Sequence, residues 1–315
     1  MGMVTDAPAL EAGRPGPGGA GAPRRARSVA RQARMLAEMV RVEEVLFSLP
    51  LAFAGAVLGA RGWPPLRTVP WIVLAVAGGK IGGMAFNRLI DRDIDARHPE
   101  TAGRHIPSGQ VSPSAAMATG LCAFAVLAVA AFELNPLCAL LLPVLIGLVV
   151  VYSFTKRWGW GCHFALASIG FCLPFAGWIA VTGHAGAGPF LFGAAAACWY
   201  VGFDSMYALR DVVWDLRLGV HSLPADLGVP ATLAIARAAH VLFLAGLVWL
   251  GHMEALPWPY WAGVAVAAGA LGWQHLVTTR ALRPVAFARF NTAVSLALLV
   301  GIALASVGGL GGWGA

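Results

Sequence analysis

The sequence predicts an all-α, polytopic membrane protein with about nine transmembrane helices. Three observations carry this expectation. Only 12% of the 315 residues are charged and 58% are hydrophobic, whereas soluble domains carry about a quarter charged residues. The apolar residues form successive runs of membrane-spanning length, which takes about 20 helical residues each. Once the runs are counted, the basic residues of the joining loops fall mostly on one side. No stretch has the composition of a large soluble domain.

Taken in order, residues 1–35 are expected to form a disordered basic tail and residues 36–315 one transmembrane domain. The tail is rich in Gly, Pro, Ala and Arg and too poor in apolar residues to bury a core. It shows no short apolar core with a small-residue cleavage site, so a signal peptide is not expected. Arg24, Arg25, Arg27, Arg31 and Arg34 suit an anionic cytoplasmic leaflet; simple solvation is the alternative. Spans are expected at about 41–60, 69–94, 112–133, 135–154, 160–182, 187–214, 229–251, 256–279 and 285–307. Gly and Pro punctuate the joins at Pro64-Pro65, Pro99, Pro136, Gly183, Pro224, Pro257 and Pro284, where chain breakers belong.

Charge then sets orientation. The tail, Arg97 and Arg104, Lys156-Arg157, Arg217, and Arg280 with Arg283 share one side under this count, while the other side carries little beyond Arg61 and Arg67. By the positive-inside rule the N-terminus is cytoplasmic, and an odd number of spans leaves the C-terminus outside a cell (inner) membrane. The net charge of +7 therefore reports topology and anionic lipid rather than nucleic acid, and no aromatic-basic nucleic-acid module is visible. Tryptophans 63, 158, 160, 258 and 261 lie near span ends, as an interfacial belt requires. Cys122, Cys138, Cys162, Cys172 and Cys198 lie in apolar segments without metal-like spacing, and are expected to be small buried core residues.

The chemistry is concentrated in two acidic stretches. Carboxylates are costly in or beside a bilayer, so a cluster of them closing a span points to function. In Asn87-Arg88-Leu89-Ile90-Asp91-Arg92-Asp93-Ile94-Asp95, helical spacing puts Asn87, Asp91 and Asp95 within an arc of about 80°, with Asp93 on the far side. In the stretch from Phe203 to Asp215, the same geometry puts Asp204, Asp211 and Asp215 within about 40°. Both stretches end on the cytoplasmic side. Five converging carboxylates would repel one another unless cations lay between them, and Mg²⁺ is typically shared between a few carboxylates and phosphate oxygens. A diphosphate bridged by Mg²⁺ is the simplest ligand, and no Gly-containing calcium loop is present. Lys80 lies on the face of Asn87, about 10 Å deeper in the span, too deep for easy snorkelling. Arg104, Lys156 and Arg157 share the acidic side.

At these residues the chain resembles a known family. Asn87-x₃-Asp91-x₃-Asp95 is followed by Arg97-His98-Pro99 and by Arg104-His105-Ile106-Pro107-Ser108-Gly109. Together with Tyr152-x₃-Lys156-Arg157 and Asp211-x₃-Asp215-Leu216-Arg217-x-Gly219-Val220-His221-Ser222, this looks like the UbiA family of intramembrane aromatic prenyltransferases, from about residue 40 onward. The resemblance implies nine helices around a central cavity open sideways to lipid. It implies that Asn87, Asp91, Asp95, Asp211 and Asp215 hold Mg²⁺ and the diphosphate of a polyprenyl donor. Arg104, Lys156 and Arg157 match positions used around the diphosphate and acceptor, and Lys80 falls where relatives often carry a basic residue. His105 departs from the pattern, since many relatives run directly from Arg into Leu-Pro-Ser-Gly.

The implied reaction is Mg-dependent prenyl transfer to an electron-rich ring carbon of a phenolic acid in quinone biosynthesis. Tyr152 or Asp204 would position the acceptor or take its phenolic proton. The stretch Phe203–Leu227 is most similar to the 4-hydroxybenzoate branch, and within it to members acting in menaquinone synthesis by the futalosine route, so a dihydroxynaphthoate acceptor stays open. A carboxylate on either acceptor suits Lys80 or Arg157. The rival reading is an ion-coupled transporter, which would place its acids near mid-span on broken helices. Soluble prenyl-chain synthases also use Asp-rich helices, but the hydrophobicity of this chain argues against one.

Overall fold

The computed structural model describes residues 24–41, 43–281 and 287–307. It is helical throughout: α1 (Arg24–Met39), α2 (Glu43–Ala60), α3 (Val69–Ile90), α4 (Arg92–Asp95), α5 (Pro113–Leu134), α6 (Pro136–Thr155), α7 (Cys162–Thr182), α8 (Ala187–Tyr207), α9 (Val212–Leu218), α10 (Leu223–Met253), α11 (Trp258–Ala281) and α12 (Phe287–Val307). Among the described residues, nine of these helices have 18 or more residues: α2, α3, α5, α6, α7, α8, α10, α11 and α12. Six, namely α3, α5, α6, α7, α10 and α12, are long and apolar enough by composition to cross a bilayer. Large apolar side chains such as Phe132, Leu140, Val241 and Trp249 are exposed on helix flanks. Water would penalise such a surface, and hydrocarbon does not.

Local signals explain most boundaries. Ser112, Asn135 and Ser222 each cap a helix with the side chain accepting a backbone N–H, and each is followed by Pro at the first or second helical position, a pairing that starts helices. Asn135 also donates to the carbonyls of Ile179 (2.8 Å) and Ala180 (3.3 Å), which ties the tight α5–α6 join to the end of α7. There α7 stops at Gly183, whose φ of 70° is left-handed.

Five expectations change. Helix α1 crosses the expected boundary of the tail near residue 35, while residues 1–23 lie outside the described residues. The expected span 69–94 breaks at Asp91, and the expected span 187–214 ends at Tyr207, followed by a single 3₁₀ turn over Ala208–Arg210. Helix α10 begins at Leu223 rather than near 229, with a kink where Gly228 takes φ 81°. The cysteines are all free, but only Cys162 is buried and Cys122 is exposed. In a lipid-facing helix an exposed thiol need not meet water.

The long helices close two rings sharing one pair. Helix α2 packs on α3 and α7, with α5 and α6 completing one side; α7, α8, α10, α11 and α12 return to α2 on the other. Trp199, Phe243, Leu247, Tyr260 and Leu298 lie in the centre of this second ring, all essentially buried, and Trp199 stacks on Phe243 at 5.9 Å. The shared α2–α7 pair approaches backbone to backbone. A Cβ on Gly55 would lie 2.0 Å from the Pro174 carbonyl oxygen, and one on Gly177 would lie 1.9 Å from that of Ala52. Small residues permit such contacts in membrane bundles, where dispersion rather than the hydrophobic effect joins helices.

Gly177→Val is therefore expected to lower the melting temperature of the detergent-solubilised protein by several degrees, because overpacking costs about 1–3 kcal/mol or more. Gly269→Ala, where an added Cβ meets nothing within 4 Å, serves as the control and should melt like the parent. Equal melting of both variants would mean that α2 and α7 do not meet at these glycines.

Candidate active site

The two acidic stretches fold alike. Asp91 ends α3 with φ −87° and ψ 0° and begins α4. Asp211 follows the 3₁₀ turn with φ −102° and ψ −4° and begins α9. Both occupy the sparsely allowed bridge region, where many active-site residues sit. In each case the helical hydrogen bond over the break survives: Asp95 N donates to Asp91 O (2.8 Å) and Asp215 N to Asp211 O (2.9 Å). The second aspartate of each pair thus stays one turn from the first, although the helix axis is interrupted. Asn87 Nδ2 donates to Asp91 Oδ2 (2.9 Å) and to Ser153 Oγ (3.4 Å). Asp93, with 83% of its side chain exposed, turns away as its spacing predicts.

Cations from other elements meet these carboxylates. Asp91 is only 1% exposed; Lys156 Nζ lies 2.5 Å from its Oδ2 and Arg157 Nη1 lies 3.5 Å from its Oδ1. Arg157 also donates to the carbonyls of Ser153 (3.0 Å) and Ile90 (2.7 Å), so it clamps the end of α6 to the end of α3. Asp95, 4% exposed, is held by Arg104 Nη1 at 2.7 Å. Asp211 meets Arg210 Nε at 3.1 Å and His98 Nε2 at 3.9 Å, and Arg210 reaches on to Glu100 (3.1 Å). Ser222 Oγ donates to Asp215 Oδ2 (2.7 Å). Burial pushes the Asp215 carboxyl above its ordinary range; the Ser222 bond opposes this, the charge of Asp211 adds to it, and Lys156 and His98 oppose it. One site therefore includes groups from both acidic stretches and from α6.

The sequence groups Asp204 with Asp211 and Asp215, and in the structure a 3₁₀ turn over Ala208–Arg210 intervenes between them. Asp204 lies before the end of α8, and its Oδ2 is 2.6 Å from His163 Nδ1 on α7. Tyr152, on α6 one turn before Lys156, lies within the electrostatic reach of Asp204, Asp91 and Arg88. Lys80 is half-buried on α3 two turns before Asn87. The site also enlists His98, Ser153, His163, Arg210 and Ser222, to which the sequence gives no role. Ser222 and His98 stand inside quoted motifs; the other three are single residues in apolar or mixed surroundings, without a spacing signal. A cavity of about 400 Å³ opens beside Arg104, between Arg88, Glu100 and the α1 residues Glu38 and Met39, and none of the five clustered carboxylates lines it.

Among the described residues, no three His, Cys, Asp or Glu side chains are gathered as a metal cage. Basic and hydroxyl groups separate them instead, which relieves the repulsion that bare carboxylates would feel. Two buried oxygens, Asp91 Oδ1 and Asp95 Oδ2, nevertheless accept no hydrogen bond. They lie on consecutive turns and are hard oxygen donors, the chemistry that Mg²⁺ accepts. The donor set fits such an ion.

Comparison with known proteins covers the same stretch. The model of the UbiA prenyltransferase family matches residues 48–299. A 4-hydroxybenzoate octaprenyltransferase of Pectobacterium carotovorum is 32% identical over 244 residues, spanning 74% of this chain and 83% of the relative. A UbiA homolog from Aeropyrum pernix K1, solved without ligand, superposes with a TM-score of 0.76 at 29% identity, over 83% of this chain and 97% of that one. A UbiA homolog from Archaeoglobus fulgidus bound to DMAPP and Mg²⁺ shares the fold, with a TM-score of 0.64 at 18% identity over 86% and 99% of the two chains. A family match over most of the sequence, on top of two acid-bearing helix breaks within a helical membrane bundle, leaves one assignment: the chain belongs to the UbiA prenyltransferase family.

Proposed function

We propose that the protein transfers a polyprenyl group from a polyprenyl diphosphate to a ring carbon of an aromatic acid such as 4-hydroxybenzoate, with Mg²⁺ as cofactor. The observation that carries this is the pair of buried oxygens on Asp91 and Asp95 that accept no hydrogen bond, beside Lys156, Arg157 and Arg104. Such a set suits a metal and a multiply charged anion together. The acceptor class rests on the similarity to 4-hydroxybenzoate octaprenyltransferases. A diphosphate donor with Mg²⁺ is supported by what the Archaeoglobus fulgidus homolog binds.

Asn87, Asp91, Asp95, Asp211 and Asp215 would hold the metal. When bound, Mg²⁺ shares its charge with the diphosphate oxygens and so lowers the energy of the departing group. Lys156, Arg157 and Arg104 bind the same oxygens. Charge counting explains why both are needed. Four carboxylates (Asp91, Asp95, Asp211, Asp215) already face four cations (Lys156, Arg157, Arg104, Arg210), so the protein alone has no surplus with which to neutralise a diphosphate. The bond from the allylic carbon to oxygen then breaks with its electron pair on diphosphate. A ring carbon ortho to the phenol supplies the π electrons of the new carbon–carbon bond, and the proton at that carbon leaves. Lys80 and Arg157 suit the carboxylate of the acceptor, and Tyr152 and Asp204 its phenol. Apolar helices keep water from the allylic cation.

Asp91→Asn and Asp211→Asn should each lower kcat at least about 100-fold, the scale for losing a group that stabilises transition-state charge, while membrane levels stay near the parent's. The check is mass spectrometry of prenylated 4-hydroxybenzoate with parallel measurement of released diphosphate. Chelation with EDTA should abolish both products and added Mg²⁺ should restore them. Parent-like turnover in both variants would end the proposal; ion flux without diphosphate release in liposomes would favour transport.

The acidic ends of α3 and α8 and the basic end of α6 share one face of the bundle, and Arg61 meets Glu254 at 3.5 Å on the other. With the positive-inside rule, the catalytic face is cytoplasmic. In a cysteine-free background, Arg97→Cys should react with an impermeant maleimide only after cells are opened, and His184→Cys should react in intact spheroplasts. The opposite pattern would invert the topology.

A further inference from the structure

The acceptor half of the site contains an imidazole that the chemistry above leaves unused. His163 is 3% exposed in the first turn of α7. Its Nδ1 is 2.6 Å from Asp204 Oδ2, and its Nε2 accepts the backbone N–H of Leu223 at 3.1 Å. The second contact decides the tautomer. A backbone N–H can only donate, so Nε2 holds a lone pair, and the ring proton sits on Nδ1, where it is donated to Asp204. A protonated imidazolium would set N–H against N–H at Leu223. In this geometry Nδ1 is the donor and Asp204 the acceptor.

Asp204 keeps one oxygen for other work. Its side chain is 21% exposed, Oδ2 is taken by His163, and Oδ1 accepts no hydrogen bond from the described residues. Leu223 in turn opens α10 directly after Ser222, whose hydroxyl holds Asp215. Hydrogen bonds from His221 N to Lys156 O (3.0 Å) and from the Cys162 thiol to His221 O (3.6 Å) pin the same loop to the α6–α7 junction. One ring thus links Asp204 to the segment carrying the second acidic pair.

Resting on the proposed transfer to a phenol, we infer that His163 is a positioning residue for the acceptor: it holds Asp204 oriented so that Oδ1 accepts the phenolic hydrogen bond. As the ring carbon attacks, the phenolic proton passes to Asp204 and a dienone forms with the new carbon–carbon bond. The proton at the prenylated carbon then leaves to the released diphosphate, the ring regains aromaticity as a phenolate, and Asp204 returns the phenolic proton. His163 exchanges none. Its part resembles the carboxylate–imidazole logic of hydrolytic triads with the roles reversed, the histidine orienting the carboxylate.

Two conservative variants separate this from a purely structural tie. His163→Asn places an amide N–H near the Nδ1 position and keeps the donor to Asp204 while losing the bond to Leu223. His163→Gln places a carbonyl oxygen near the Nε2 position and keeps the acceptor for Leu223 while losing the donor. For the parent and both variants, kcat, KM for 4-hydroxybenzoate, KM for the prenyl diphosphate and the melting temperature are measured. The inference expects His163→Asn to keep kcat within about 5-fold, and His163→Gln to lose it by roughly 100-fold with KM for the diphosphate unchanged, the range for a mispositioned general base. Parent-like kcat in His163→Gln with loss in His163→Asn overturns it, as does an equal loss in both, or a rise in KM for the diphosphate matching the loss in kcat. A parent enzyme that prenylates no phenolic acid, while consuming the diphosphate with another acceptor, overturns the proposed function, and this inference falls with it.

Discussion

A buried carboxylate at the edge of a bilayer is tolerated only with a partner, and the pairing of Asp91 with Lys156 and Arg157 is the contact on which the acidic end of this bundle depends. Asp91 is almost fully buried at a point where the helix is interrupted, so the structure must satisfy both a charge and a broken hydrogen-bond ladder. Arg157 serves both needs, sitting 3.5 Å from the carboxylate and donating to the carbonyl of Ile90 just before the break. Removing one member of such a pair typically costs about 3–5 kcal/mol, most of it the desolvated charge left behind. In a helical membrane protein, backbone carbonyls near the membrane must also find donors. The arrangement fixes the end of α3 to the end of α6.

The bundle is legible in the sequence because its signals are local. Hydropathy, together with Pro and Gly at the joins, indicates nine long helices, and the caps at Ser112, Asn135 and Ser222 can be read as Ser or Asn before Pro. The breaks at Asp91 and Asp211 are not legible. A residue in the bridge region interrupts the helix yet leaves the i to i+4 hydrogen bond in place, so the spacing of Asn87, Asp91 and Asp95 looks helical on either side. The expected proximity of these three therefore survives while the straight helix does not. The same spacing misleads for Asp204, since the 3₁₀ turn over Ala208–Arg210 resets the phase before Asp211. Periodicity reports angle only while the helix continues.

Which cation meets which carboxylate depends on contacts between elements far apart in sequence. Arg104, Lys156 and Arg157 are recognisable as basic residues on the acidic side, but that Arg104 takes Asp95 while Lys156 takes Asp91 follows from the packing of α6 against α3 and the fold of the loop after α4. The ligand-free site comes close to internal neutrality in this way. A site so balanced has little electrostatic reason to open until an anion and a compensating cation arrive together, which favours a metal-bound diphosphate over free diphosphate as the entering species.

The two halves of the site differ in how far sequence can specify them. The donor half rests on charge, and charged residues inside a membrane protein are few enough to be conspicuous. In the function proposed above, the acceptor half rests on Tyr152, Asp204 and the ring of His163, where the operative features are a hydroxyl, a carboxylate oxygen and a tautomer. None of these has a spacing rule, and the tautomer exists only because a backbone N–H from α10 reaches an imidazole on α7. A single histidine in an apolar stretch reads as packing until that contact is seen. Differences in acceptor between family members therefore need not be written in the acidic motifs. They can reside in what surrounds Asp204, where a neighbour sets its orientation.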